Sequence, residues 1–139
     1  MKRLRILPII LVVSLVSILI LGALPAILSA CPIDIKPGSN PNSINLGANG
    51  VVPVAVLLTS ADFKGLYLDP STVKFAGASA VKWAIEDVDG DGILDMIFHF
   101  NIQDTDLIEN STYALLTGID IWGGYFAGGD SVNIVPKKK

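Results

Sequence analysis

The sequence predicts an all-β protein: a single β-sandwich of seven or eight strands with Greek-key-like connections, preceded by one N-terminal hydrophobic helix. Three observations lead to this reading. Beyond residue 31, short runs of alternating apolar and polar residues recur between clusters of Gly, Pro, Asn and Asp, the pattern of half-buried strands joined by turns. Nowhere in that region do apolar residues repeat at the helical period of about 3.6. The one long apolar segment, Ile6 to Leu28, lies at the N-terminus behind the basic stretch Met1-Lys2-Arg3-Leu4-Arg5.

Residues 1–31 therefore read as a membrane-targeting segment. At 23 residues, the apolar run exceeds the roughly 7 to 15 of a cleavable signal and could cross a hydrocarbon layer of about 30 Å as a helix. Leu28-Ser29-Ala30-Cys31 resembles a bacterial lipobox, in which the leader is cut before a cysteine that then carries lipid on its sulfur. Cys31 is the only cysteine of the chain, and Pro32 directly after it departs from the usual lipobox pattern. Three fates stay open: lipidation of Cys31, an uncleaved anchor, or cleavage after Ala30 and release. In each, positive charge before the segment and none soon after it places the remainder outside the cytoplasm, at the cell surface or secreted.

Residues 32–136 make one domain, followed by the basic tail 137–139. Domain and tail together, residues 32–139, hold all 13 acidic residues but only seven of the ten basic ones, a net charge of −6, and no arginine. An acidic surface of this kind excludes nucleic acid as a partner and suits cations. About a hundred residues can bury a core without disulfides, and a single cysteine forms none internally.

Along the domain, Ile33 and Ile35 alternate with Asp34 and Lys36, and Pro37-Gly38-Ser39-Asn40-Pro41-Asn42 turns the chain into a second short run at Ile44 and Leu46. Val51 to Leu58, apolar on both sides, reads as a central strand in which Pro53 requires a bulge or an unpaired position. Thr59 to Phe63 could form one helical turn capped by Thr59 or Ser60. Val73-Lys74-Phe75 is an alternating strand after the Asp69-Pro70 turn. Further strands are expected at Val81 to Ile85, Leu94 to Phe100, Ser111 to Leu116 and Ser131 to Val135, with the Gly-rich stretch Gly118 to Gly129 as a connection.

The most specific motif lies between two of these strands. Asp87-Val88-Asp89-Gly90-Asp91-Gly92-Ile93-Leu94-Asp95 sets four carboxylates in nine residues with the spacing D-x-D-x-D-G-x-x-D. Calcium takes about six to eight oxygens at about 2.3 to 2.6 Å, and a tight loop supplies them from its first, third, fifth and ninth residues plus the carbonyl of the seventh. Here these are Asp87, Asp89, Asp91, Asp95 and Ile93, with Gly92 at the sharp turn and Gly90 at a second position suited to positive φ. Position twelve is Phe98, so the bidentate glutamate of an EF-hand is missing. Flanks rich in β-branched and aromatic residues make the loop the tip of a β-hairpin, similar to the calcium loops of integrin-type propeller repeats. The plain alternative is a hairpin whose Asp-Gly pairs serve only its turn, although a turn needs one such pair and not four crowded carboxylates.

A wider resemblance covers nearly all of residues 32–136. Its blocks are Ile33-Asp34-Ile35-Lys36-Pro37-Gly38-Ser39-Asn40-Pro41-Asn42-Ser43-Ile44-Asn45, Gly50-Val51-Val52-Pro53-Val54-Ala55-Val56-Leu57, Asp69-Pro70-Ser71-Thr72-Val73-Lys74-Phe75, Glu86 to Asp95, and Asp130-Ser131-Val132-Asn133-Ile134-Val135-Pro136. Together they resemble an uncharacterised family of extracytoplasmic β-domains from bacteria and archaea, with an IDIKPGS opening and a D-V-D/N-G-D-G centre. The resemblance implies an extracytoplasmic calcium-type loop and no assigned reaction. Members of that family often carry cysteines near positions corresponding to Leu115 and Gly129, which this chain lacks.

Catalysis finds little support. His99, the only histidine, falls on the strand face opposite Met96, Phe98 and Phe100 and reads as solvent-facing. No G-x-S-x-G elbow or triad arrangement occurs, and a carboxylate loop that saturates its ion leaves no open coordination position. Asp34, Asp69 and Asp130 read as turn or surface carboxylates. Trp122, Tyr125 and Phe126 could form an aromatic platform for a sugar ring or close one end of the core. Asn110-Ser111-Thr112 is a glycosylation sequon. The sequence thus points to a non-enzymatic calcium-binding domain at or outside the cell surface, with a carbohydrate or surface-polymer module using Trp122 and Tyr125 as the rival; a surface glycan or surface protein is the partner either would meet.

Overall fold

The structure is a computed structural model in which the described residues are 28–58 and 68–136. The expected N-terminal helix, the helical turn at Thr59 to Phe63 and the basic tail lie outside them. Among the described residues, no helix is long and apolar enough to cross a membrane.

The described chain is all-β. Its strands are β1 (Leu28–Ala30), β2 (Ile33–Ile35), β3 (Ser43–Asn45), β4 (Val51–Val56), β5 (Lys74–Phe75), β6 (Ala78–Glu86), β7 (Asp95–Asn101), β8 (Tyr113–Ile119), β9 (Tyr125–Ser131) and β10 (Asn133–Val135), with single 3-10 turns at Pro70–Thr72 and Ile102–Asp104. Eight strands form one sheet in the order β1-β9-β8-β5-β6-β7-β4-β2, and β3 and β10 pair in parallel as a separate ribbon. Within the sheet every pairing is antiparallel except that of β1 with β9.

Instead of the two stacked sheets of a sandwich, the structure has one sheet rolled almost closed. The two ends of the sheet are consecutive in sequence: β1 pairs with β9, and after Cys31 and Pro32 the chain crosses to pair with β4 as β2. Cys31 N–H donates to Ala127 O at 3.1 Å and Leu57 N–H to Pro32 O at 3.0 Å, which stitches the two edges together. At the seam, a Cβ on Gly128 would lie 2.5 Å from the Cys31 carbonyl oxygen and 2.6 Å from Ile33 Cγ2, so the close approach requires glycine. Of the Gly-rich stretch expected as a connection, Gly118 to Gly129, only residues 120–124 connect strands; its first two residues end β8 and its last five open β9. Asp130 closes the seam further along, its Oδ2 accepting Ile35 N–H at 3.2 Å and Asn42 Nδ2 at 2.9 Å.

The rolled sheet encloses a core centred on Phe75, Phe98 and Phe100, with Ile35, Val52, Val54, Val56, Met96 and Leu116 around them. The Phe75 and Phe100 rings stand 5.4 Å apart and tilted by 40°, and those of Phe98 and Phe100 6.5 Å apart and tilted by 35°, so neither pair stacks face to face against the ring quadrupoles. Pro53 needs no bulge. Its carbonyl accepts Lys36 N–H at 2.8 Å, so its nitrogen, on the same side of the strand, faces the place where β2 has ended and Lys36 turns off at φ 53°. The β6–β7 hairpin extends from this core. β5 is only two residues long and Ala80 N–H still reaches Val73 O at 3.2 Å, so beyond Ala80 strand β6 pairs on one side only among the described residues.

Candidate metal centre

Glu86 and Asp95 are the last cross-strand pair of the β6–β7 hairpin, and residues 87–94 form its tip. The local fold follows from the aspartates themselves, because short carboxylates accept backbone N–H groups two to five residues on and bend the chain around them. Asp87 Oδ1 accepts Gly90 N–H and its Oδ2 accepts Gly92 N–H, both at 2.9 Å. Asp89 Oδ1 accepts Asp91 N–H at 3.2 Å, and Asp91 Oδ1 accepts Ile93 N–H at 2.8 Å. Gly90 and Gly92 adopt φ of 77° and 86°, as the motif requires.

This winding brings one carboxylate oxygen each of Asp87, Asp89 and Asp95 within 4.8 Å of one another. Asp87 and Asp89 are exposed and Asp95 is fully buried. Three carboxylates so disposed can hold a metal ion, since a carboxylate oxygen that accepts one N–H retains a second lone pair for a cation. Asp91 lies outside the group of three and is bonded instead to Ile93 N–H. The crowding is electrostatically visible at Asp89. The Asp91 backbone N–H pulls its carboxyl down, yet desolvation and the neighbouring Asp91 and Asp95 carboxylates leave it above the ordinary carboxylate value.

Asp95 has a structural duty that its place in the motif does not reveal. Its Oδ1 accepts Leu58 N–H at 2.8 Å and its Oδ2 accepts Val88 N–H at 3.0 Å, so it ties the end of β4 to the loop. Near it sits Cys31, half-buried, with Sγ donating to Leu57 O at 3.5 Å. Burial, and secondarily the charge of Asp95, pushes the Cys31 thiol from its ordinary 9.0 up to about 11.

The remaining candidates are scattered. Trp122 and Tyr125, in and just after the β8–β9 turn, are exposed, whereas Phe126 is buried in the core. Asp120 builds that turn, its Oδ1 accepting Trp122 N–H at 2.9 Å and Gly124 N–H at 2.8 Å. Asn110 is exposed in the turn before β8. His99 points away from Phe98 and Phe100 as expected, but it is half-buried, and its Nδ1 is enclosed without a hydrogen-bond partner. Asp69 caps the first 3-10 turn. The Ser71 hydroxyl at 2.6 Å and the Ser71 N–H at 3.0 Å hold its carboxyl below the usual range. Asp34 is shifted upward by desolvation and then by Asp130.

No family model, no curated protein and no solved structure matches the chain. What fold and site define is therefore a class: an all-β domain with a three-aspartate centre at a hairpin tip.

Proposed function

We propose that this is a non-enzymatic, calcium-binding extracytoplasmic β-domain whose ion fixes the tip of the β6–β7 hairpin. The observation that supports it is the convergence of Asp87, Asp89 and Asp95 within 4.8 Å in a loop with D-x-D-x-D-G-x-x-D spacing. The donor set is all carboxylate. Such hard oxygen donors favour calcium over zinc, which prefers sulfur and nitrogen, and a flexible loop suits calcium better than magnesium, which demands strict octahedral geometry. The centre contains neither histidine nor cysteine that could serve as base or nucleophile. Asp91 and the Ile93 carbonyl would bring the protein ligands to five, and bidentate carboxylates or waters would supply the rest of the six to eight or so oxygens that calcium takes.

The acidic domain, the basic and apolar N-terminus and the resemblance to extracytoplasmic β-domains all support a place outside the cytoplasm, with membrane attachment through the N-terminal segment or a lipid on Cys31. Isothermal titration of the chelator-stripped chain with calcium tests the binding. One site should saturate in the range of about 0.1 to 1 mM typical of extracellular modules. Asp89→Ala and Asp91→Ala should abolish or strongly weaken it, and Asp104→Ala, away from the loop, should leave it intact. Heat signals unaffected by Asp89→Ala would refute the assignment.

A further inference from the structure

We propose that the end of the barrel bearing the β6–β7 and β8–β9 loops is a membrane-contact surface that rests in the headgroup region of a lipid bilayer. Strand direction gathers the relevant parts there. In the antiparallel order, β6 arrives at this end at Glu86 and β7 leaves it at Asp95, while β8 arrives at Ile119 and β9 leaves at Tyr125. Because β1 runs parallel to β9 with Leu28 opposite Tyr125, the chain preceding Leu28, apolar from Ile6 onward in sequence, joins the barrel at this same end. Cys31, just after β1, lies at this end as well, its Sγ reaching the carbonyl of Leu57 one residue past the end of β4. An uncleaved apolar segment would hold this end against the bilayer.

The side chains found there match such an environment. Ile121, Trp122 and Tyr125 are exposed on the β8–β9 loop, Trp122 to 67%, and Ile85 and Leu94 are exposed on the β6–β7 hairpin. Trp83 follows two residues behind Ile85 on the same face of β6, so both tryptophans of the chain lie on or just behind this rim. Trp and Tyr settle at the membrane interface because one end of each ring is apolar and the other hydrogen-bonds to water or headgroups. Exposed apolar residues occur elsewhere on the barrel, Ile108 and Leu115 among them. This end differs because the apolar N-terminal segment joins it. It also bears Asp87, Asp89 and Asp91, which should repel anionic lipid until a cation neutralises them. That last clause rests on the calcium reading, whereas the contact surface does not.

The two tryptophans test it. The full chain is reconstituted into phosphatidylcholine vesicles containing lipid brominated close to the headgroup, as Trp83→Phe and Trp122→Phe variants that leave one tryptophan each. Trp122 emission should shift to the blue, be quenched by the brominated lipid and lose access to aqueous iodide, and Trp83 should respond less. A vesicle-bound chain whose Trp122 stays open to iodide and unquenched by bromine overturns the proposal. Protection of Trp122 by a soluble polysaccharide, or by raising protein concentration in detergent, with no effect of lipid, overturns it in favour of a glycan or self-association surface. On vesicles that include phosphatidylglycerol, calcium should deepen the quenching. Loss of that calcium effect alone, with quenching on neutral lipid intact, would refute the calcium reading and leave the contact surface standing.

Discussion

Asp95, at the start of β7, accepts the backbone N–H of Leu58 at 2.8 Å across 37 residues of sequence. The same fully buried carboxylate accepts Val88 N–H and faces the exposed carboxylates of Asp87 and Asp89. One residue is thus both a brace between β4 and the hairpin and a candidate ligand, and its neighbours in the motif lack the first role.

The aspartates should therefore respond to substitution with opposite signs. Asp95→Ala strands the buried Leu58 N–H, worth about 1 to 3 kcal/mol when left unpaired, and frees the part-buried Val88 N–H, and should destabilise the chelated protein by about 2 to 3 kcal/mol. Asp89→Ala removes an exposed carboxyl already crowded by Asp91 and Asp95, and should leave the chelated protein unchanged or slightly more stable. Urea denaturation of both variants in excess chelator checks this. Equal losses would show that Asp95 has no bracing role.

The seam of the barrel makes a second expectation. Gly128→Ala places a methyl 2.5 Å from the Cys31 carbonyl oxygen, where backbone has to give way, and overpacking of this sort costs about 1 to 3 kcal/mol. Hydrogen exchange should show faster opening of the Cys31 and Leu57 amides, which bridge the two edges, with amides of the β6–β7 pairing less affected. Uniform acceleration across the sheet would argue that closure contributes no separate step.

Cys31 gives a pH dependence. In unlipidated full-length chain its thiol, pushed from 9.0 to about 11 chiefly by burial, should alkylate slowly at pH 8 to 9 and fully only near its raised value. The sign for stability follows from linkage. A folded value above the unfolded one means the contribution is complete below about pH 9 and is lost as pH rises toward about 11. Iodoacetamide labelling against pH, native and in urea, measures both curves. Coincident curves would contradict the buried thiol.

Much of this was readable in the sequence because it is locally encoded. The hairpin, its glycines at positive φ and the bracketing strands follow from spacing and alternation within about twenty residues. Alternation also assigned the Phe98 and Phe100 face correctly. The architecture was not readable in the same way, since alternating strands satisfy a sandwich and a rolled sheet equally, and the choice depends on the crossing at Pro32 between two distant edges. Gly128 and Gly129 read as loop residues because glycine lowers strand propensity; in place, one admits the Cys31 backbone and the other lies against the ring of Tyr113. Asp130 looked like a turn carboxylate because its partners, Ile35 and Asn42, lie 95 and 88 residues away. For Asp95, local spacing marked it as a candidate ligand and could not foretell the bond to Leu58.

The most direct test of the calcium assignment is the thermal melt of the full chain in excess chelator against about 10 mM calcium, some ten to a hundred times the expected Kd. Binding to the native state alone should add RT ln(1 + [L]/Kd), about 1.4 to 2.7 kcal/mol, and raise the melting temperature by at least about 5 °C for a domain of this size. Magnesium at the same concentration should do less. Superimposable melting curves in chelator and in calcium would contradict the assignment of this loop as a calcium site.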